Sequence, residues 1–83
     1  MIHATEETLN KLEPLLKKIR QFSSLKEKTR GVYYYKAQAF LHFHEDVVGI
    51  FADIRIEQEW VRSKVSTPSE QATLLNTIAQ TLE

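Results

Sequence analysis

The sequence predicts an α+β fold in which a three- or four-stranded antiparallel β-meander is flanked by N- and C-terminal amphipathic helices, in the order α-β-β-β-(β)-α. Three observations support this. Leucines recur with helical spacing near the start, residues 32–56 are rich in β-branched and aromatic side chains, and a helix-capping motif opens a second apolar helical pattern near the end. With 83 residues, of which 42% are apolar and 27% charged, we expect one domain covering 1–83.

The first helix is predicted from T-E-E-T-L-N-K-L-E-P-L-L-K-K-I-R-Q-F. Thr5 can cap its start, and acidic residues in the first turn suit the helix dipole. Pro14 leaves two interpretations open: it lies within one continuous helix, or the helix restarts at Asn10 with Pro14 in its first turn. On a helical wheel, one apolar arc contains Leu9, Leu12, Leu15, Leu16, Ile19 and Phe22.

Three strands are predicted near residues 32–35, 40–45 and 50–56, and W-V-R at 60–62 can add a short fourth. Turns are expected at K-A-Q-A and D-V-V-G, while the polar stretch S-S-L-K-E-K-T-R-G is expected to link the first helix to the strands. The second helix is predicted from T-P-S-E, where Thr67 is the cap, Pro68 takes the first helical position and Glu70 completes a capping box. Its expected buried face contains Ala72, Leu74, Leu75, Ile78, Ala79 and Leu82.

Composition excludes several classes of function. The chain has no cysteine, which excludes disulfides, thiol nucleophiles and cysteine-based zinc sites. No apolar run approaches the roughly 18 residues of a membrane span, and the first residues do not resemble a signal peptide, so we expect a small soluble protein in the cytoplasm. Net charge is zero. A basic run between Lys11 and Arg30 is interpreted as a solvated helix face and loop, with an anion or nucleic-acid patch as the alternative.

The two faces of the predicted sheet differ in character. Symmetric hairpins at the two turns place one apolar set under the helices, namely Val32, Tyr34, Leu41, Phe43, Ala52 and Ile54. The opposite face would then carry Tyr33, Tyr35, Phe40, His42, His44, Phe51, Asp53 and Arg55. This second set is too aromatic for an ordinary solvated surface and too charged for a core, which is typical of a binding surface.

We therefore expect a non-enzymatic interaction domain that uses this second face for homodimerisation or for a protein partner, with no membrane partner. The alternative is a metal-binding or metal-dependent hydrolytic site, in which His42, His44 and Asp53 hold zinc and a water takes the fourth position. Nothing in the sequence places His3 beside them. A further alternative is the stacking of single-stranded nucleic acid on the aromatic side chains, which the acidic neighbours Asp53 and Glu45 disfavour. No catalytic residue is predicted, because no nucleophile other than the Tyr33 hydroxyl would stand beside His42.

One stretch, G-V-Y-Y-Y-K-A-Q-A-F-L-H-F-H-E-D-V-V-G-I-F-A-D-I-R, resembles a pattern of small uncharacterised bacterial proteins. In that pattern a tyrosine-containing strand leads into F-L-H-F-H-E-D, a glycine turn and F-A-D-x-R. The turn here is D-V-V-G, from Asp46 to Gly49. The resemblance implies a bacterial cytosolic setting and brings no activity with it.

Overall fold

A computed structural model, which describes residues 1–83, contains two helices and a six-stranded antiparallel sheet. The helices are α1 (Glu6–Ile19) and α2 (Pro68–Thr81). The strands are β1 (Ile2–His3), β2 (Leu25–Thr29), β3 (Val32–Tyr35), β4 (Gln38–Asp46), β5 (Gly49–Ile56) and β6 (Glu59–Lys64). The predicted α+β class with terminal helices is confirmed, and the sheet has more strands than predicted.

The sheet is a meander in the order β2-β3-β4-β5-β6, to which β1 adds by pairing with β4. Strand β3 covers β4 only from Gln38 to Leu41, whereas β1 pairs with His44 and Glu45 further along the same strand. Ala4 continues this pairing by donating its N–H to the Phe43 carbonyl at 3.1 Å. The N-terminal residues therefore extend the line of β3 along the edge of β4.

Helix α1 is continuous, so the first interpretation of Pro14 is correct and no restart occurs at Asn10. Thr5 caps the helix, and its hydroxyl accepts the Thr8 N–H. Pro14 lies on the exposed side, where a missing backbone hydrogen bond costs least. The predicted leucine and isoleucine stripe is buried, while Phe22 follows the end of the helix and packs half-buried against the core.

Helix α2 starts as predicted. The Thr67 hydroxyl accepts the Glu70 N–H at 3.1 Å, and the Glu70 carboxylate accepts the Thr67 N–H at 3.0 Å, which completes the capping box. The predicted buried face is too wide, however. Leu74 and Ile78 are buried, whereas Ala72 and Ala79 are exposed because only a narrow stripe of this helix contacts the core.

The polar stretch predicted as a linker contains strand β2, which corrects that prediction. Its sequence, L-K-E-K-T, lacks an apolar alternation, because the carboxylate of Glu27 takes a half-buried position. That carboxylate accepts hydrogen bonds from Arg20 and from the Gly31 N–H. Arg20 also binds Glu13, and together with Arg30 it lowers the pKa of Glu13 to about 2. Two cations of the basic run therefore hold α1 against the sheet.

The register between β4 and β5 agrees with the prediction. Leu41 faces Ile54, His42 faces Asp53 and His44 faces Phe51 across the turn at Val47 and Val48. A two-residue turn with symmetric flanks leaves little freedom, which is why the pattern determines this pairing.

The predicted register between β3 and β4 is wrong. Tyr33 pairs with Leu41 and Tyr34 with Ala39, so Phe40 bulges from the ladder. Phe40 and Leu41 are consecutive and both buried, and Tyr33 is only 1% exposed. One extra residue has therefore moved Tyr33 to the helix-covered face.

Both helices pack on the same side of the sheet. One core cluster joins the α1 stripe and the two buried α2 side chains to the helix-facing residues of the sheet, which are Tyr33, Leu41, Phe43, Ala52 and Ile54. No helix lies on the other side. Neither helix is long and apolar enough to cross a membrane.

Candidate functional site

The uncovered side of the sheet, which we call the open face, presents alternate residues of three paired strands. Asp53 of β5 lies between His42 of β4 and Arg62 of β6, and Arg55 pairs with Trp60. Because directly opposed residues in an antiparallel pair point to the same side, these side chains share one surface. The side chains of the open face are His42, His44, Phe51, Asp53, Arg55, Trp60, Arg62 and Lys64.

Strand β1 adds the third histidine to this surface. His3 pairs with His44, and their rings stack with centroids 4.7 Å apart. His42 and His44 are two residues apart on β4, so they project to the same side, and His42 Nδ1 lies 2.8 Å from His44 Nε2. One ligand nitrogen from each of His3, His42 and His44 lies within 4.8 Å of the other two. We call these residues the histidine cluster, and they are all the histidines of the chain.

Asp53 of β5 lies next to the histidine cluster. It is only 6% exposed, and Arg62 donates two hydrogen bonds to it, Nε to Oδ1 at 2.7 Å and Nη2 to Oδ2 at 2.8 Å. Oδ2 also lies 3.2 Å from His44 Nε2. The hydrogen bonds from Arg62 lower the pKa of Asp53 despite the opposing effect of burial, so the carboxylate is ionised at neutral pH.

His42 is half-buried and contacts Trp60. Its ring makes an edge contact with Trp60, with centroids 4.7 Å apart. Burial, followed by the neighbouring His44, lowers the pKa of His42 below its ordinary value of 6.5. A neutral imidazole is the form that binds a metal ion.

The open face is not a cleft. None of the concave regions of the surface is lined by His3, His42 or His44, and the one of about 270 Å³, which includes Arg55, lies between the two hairpin turns beside Lys36 and Gln58. Trp60 is 42% exposed and carries the Arg55 guanidinium over its ring at 4.4 Å. The histidine cluster is therefore reached directly from solvent.

Of the eight residues predicted for this surface, the structure brings five together: His42, His44, Phe51, Asp53 and Arg55. Tyr33 and Phe40 are buried in the core, and Tyr35 packs against it with its ring 5.9 Å from that of Phe40. The bulge at Phe40 causes this difference. The aromatic stacking platform suggested for single-stranded nucleic acid thus loses most of its rings.

Sequence reasoning missed His3, Arg62 and Trp60. A symmetric hairpin at Glu57 and Gln58 would have placed Arg62 opposite Asp53, so the signal for Arg62 was present in the alternation of E-W-V-R-S-K. Asp53, predicted as a metal ligand, is bound by Arg62 and lies beside His44, and His3 joins the two histidines of β4. No periodicity could place His3, because a two-residue strand carries none.

No family model matches this chain, and no curated protein or solved structure matches it either.

Proposed function

We propose that the protein binds a divalent transition metal ion, with zinc as the reference case, through His3, His42 and His44. The observation that carries the proposal is the convergence of all the histidines of the chain on one patch, from two different strands. Uncorrelated surface histidines would be scattered over the fold. Imidazole nitrogens suit zinc, copper and nickel, and three of them form a common catalytic zinc ligand set.

The present geometry is close to that of a loaded site. Bonds of 2.0–2.1 Å in a tetrahedral arrangement put ligand nitrogens about 3.3 Å apart. The His42 and His44 nitrogens, now 2.8 Å apart, would separate slightly as the ion replaces the hydrogen bond between them. The most distant pair of nitrogens, within 4.8 Å, would close by rotation of the exposed His3 ring.

Asp53 supports the proposal by its charge. Its Oδ2 lies 3.2 Å from His44 Nε2, the nitrogen proposed as a ligand, so the carboxylate stands beside the position of the ion. The Asp53 carboxylate is fixed by Arg62 and lies in contact with His44, so it adds negative charge beside the ion without leaving its place.

Trp60 provides the test, because it is the only tryptophan of the chain and its ring touches His42. Zinc added to metal-free protein should change Trp60 fluorescence and give a calorimetric titration that saturates at one equivalent. His3→Ala and His42→Ala should each weaken binding at least about tenfold, since each removes one of three ligands. Gln38→Ala, on the exposed start of the same strand, is the matched control and should bind like the wild type. Equal zinc binding by His3→Ala and the wild type would refute the proposed ligand set.

We propose as a second candidate that two copies associate through β6. Every residue of this edge strand is exposed, Trp60 and Val61 being 42% and 44% exposed, and no further strand pairs with it. An edge with unpaired backbone groups and exposed apolar side chains favours strand pairing with another copy. Its charged residues, Glu59, Arg62 and Lys64, oppose a close approach, so we rank it below metal binding.

Light scattering over a range of protein concentrations tests the second candidate. A dimer mass at high concentration should disappear in Val61→Lys and persist in Val47→Lys, which adds the same charge at a fully exposed turn. A monomer mass at every concentration would rule the association out. For both functions we propose the cytoplasm of a bacterium as the setting.

A further inference from the structure

We infer that the metal-loaded histidine cluster binds an oxyanion, such as phosphate or a carboxylate, in the fourth coordination position, where Arg62 donates a hydrogen bond to it. This inference rests on the proposed metal site. It names the class of ligand that the site would take.

The fourth position is open. Three histidines leave one place free around a tetrahedral ion, and none of the concave regions or helices covers the cluster. His3 itself is exposed. A ligand from solvent can therefore reach the ion without a change in the fold.

The charge around the ion favours an anion. The imidazole ligands are neutral, so the two positive charges of the ion and the charge of Arg62 outweigh the single negative charge of Asp53. Arg55, over Trp60, adds a further cation to the same face. Asp46, at the end of β4, is the other carboxylate whose charge reaches Arg62, and it is exposed to solvent, which screens it.

Arg62 has hydrogen-bond donors that no group of the chain accepts. Its Nε and Nη2 hold Asp53, whereas Nη1 makes no hydrogen bond within the chain. Since Asp53 Oδ2 contacts both groups, at 2.8 Å and 3.2 Å, Arg62 Nη2 lies no more than about 6 Å from His44 Nε2, a span that a metal-bound oxyanion can bridge to a guanidinium. The hydrogen bonds to Asp53 also hold the guanidinium in position.

The experiment uses inorganic phosphate as the probe and the Co²⁺-loaded protein as the reporter, because the visible spectrum of cobalt responds to a change of ligand. Phosphate should shift the spectrum and saturate, and calorimetry should give at least about tenfold tighter phosphate binding with metal than without it. Arg62→Gln should weaken phosphate binding about tenfold, as expected for the loss of a hydrogen bond to a charged group. Lys18→Gln removes the same charge from the exposed side of α1, on the helix-covered side of the sheet, and is the matched control, with less than about a threefold effect.

Arg62→Gln also leaves the buried Asp53 carboxylate without its partner, so Arg62→Lys serves as a second variant. Lysine keeps the charge but lacks the planar array of donors with which a guanidinium can hold Asp53 and a second anion at once, so it should weaken phosphate binding while leaving cobalt binding within about threefold. Metal binding with no phosphate effect on the spectrum would overturn the inference and leave the proposed function intact. Equal phosphate affinities for Arg62→Lys, Lys18→Gln and the wild type would overturn the role of Arg62. Absence of metal binding would overturn both proposals.

Discussion

Replacement of Gly31 by alanine should destabilise the fold although it adds a single carbon atom. Gly31 is buried between β2 and β3 and has a φ of +80°, a conformation that side chains other than hydrogen disfavour. An added Cβ would lie 2.8 Å from Leu9 Cδ2 and 3.7 Å from Phe43 Cδ2. The first distance is far below a normal carbon contact, so the Leu9 side chain would have to move within the core.

The expected loss has two parts. The left-handed conformation costs about 1–2 kcal/mol for a residue with a Cβ, and overpacking against Leu9 adds about 1–2 kcal/mol. Gly31→Ala should therefore lower the free energy of unfolding by about 3 kcal/mol, which for a domain of this size lowers the Tm by roughly 15 °C. Urea denaturation followed by circular dichroism measures the first quantity, and a thermal melt measures the second.

A double-mutant cycle separates the two parts. In a Leu9→Ala background the δ-methyl groups that the added Cβ would meet are absent, so Gly31→Ala should cost only the backbone part, and the coupling energy should be about 1–2 kcal/mol. A Gly31→Ala protein within about 0.5 kcal/mol of the wild type would refute the reasoning from φ and from the contact.

Three further predictions concern stability. The Tyr33 hydroxyl is buried without a hydrogen-bond partner, near a Glu27 carboxylate that is held by Arg20 and Gly31. Tyr33→Phe should therefore leave the free energy of unfolding unchanged or raise it by about 1 kcal/mol. A decrease of about 1 kcal/mol in urea denaturation would contradict this prediction. Ala37 has a φ of +66° in the turn between β3 and β4, so Ala37→Gly should raise the free energy of unfolding by about 0.5–1 kcal/mol, and a lower Tm would count against it. The pKa of Glu13 falls from 4.5 to about 2 on folding because Arg20 and Arg30 donate hydrogen bonds to its carboxylate. The stabilisation of the fold by ionised Glu13 should therefore be complete above pH 4.5 and disappear as the pH falls towards 2. Glu13→Gln should flatten the dependence of Tm on pH in that window.

The sequence was most informative where pairing is local. The two-residue turn at Val47 and Val48 joins strands of matching alternation, and the predicted pairs His42 with Asp53 and His44 with Phe51 are correct. The capping box at Thr67 likewise specifies its helix within four residues. In both cases a short stretch of chain contains the complete physical signal.

Prediction failed where a single residue or a distant segment decides. The bulge at Phe40 reverses which side of β3 faces the helices, and no composition rule distinguishes a bulge from regular alternation in a strand of aromatic residues. In strand β2 the half-buried position is taken by the Glu27 carboxylate, to which Arg20 donates hydrogen bonds, so the strand has no apolar alternation that the sequence could reveal. The place of His3 depends on the part of β4 that β3 leaves unpaired, which is a property of the folded sheet.

The bulge at Phe40 also determines where a deletion in β4 would leave the histidine cluster undisturbed. Upstream of it, β4 takes its alignment from β3, and downstream it takes its alignment from β5. A deletion of Phe40 would remove the unpaired residue and restore regular alternation between β3 and β4, while His42 and His44 would keep their places opposite Asp53 and Phe51. A deletion between His44 and the turn would instead shift both histidines by one residue along β5 and turn them toward the helices. We therefore expect a deletion at the bulge to cost the core packing of the Phe40 ring but to leave the histidine cluster in place.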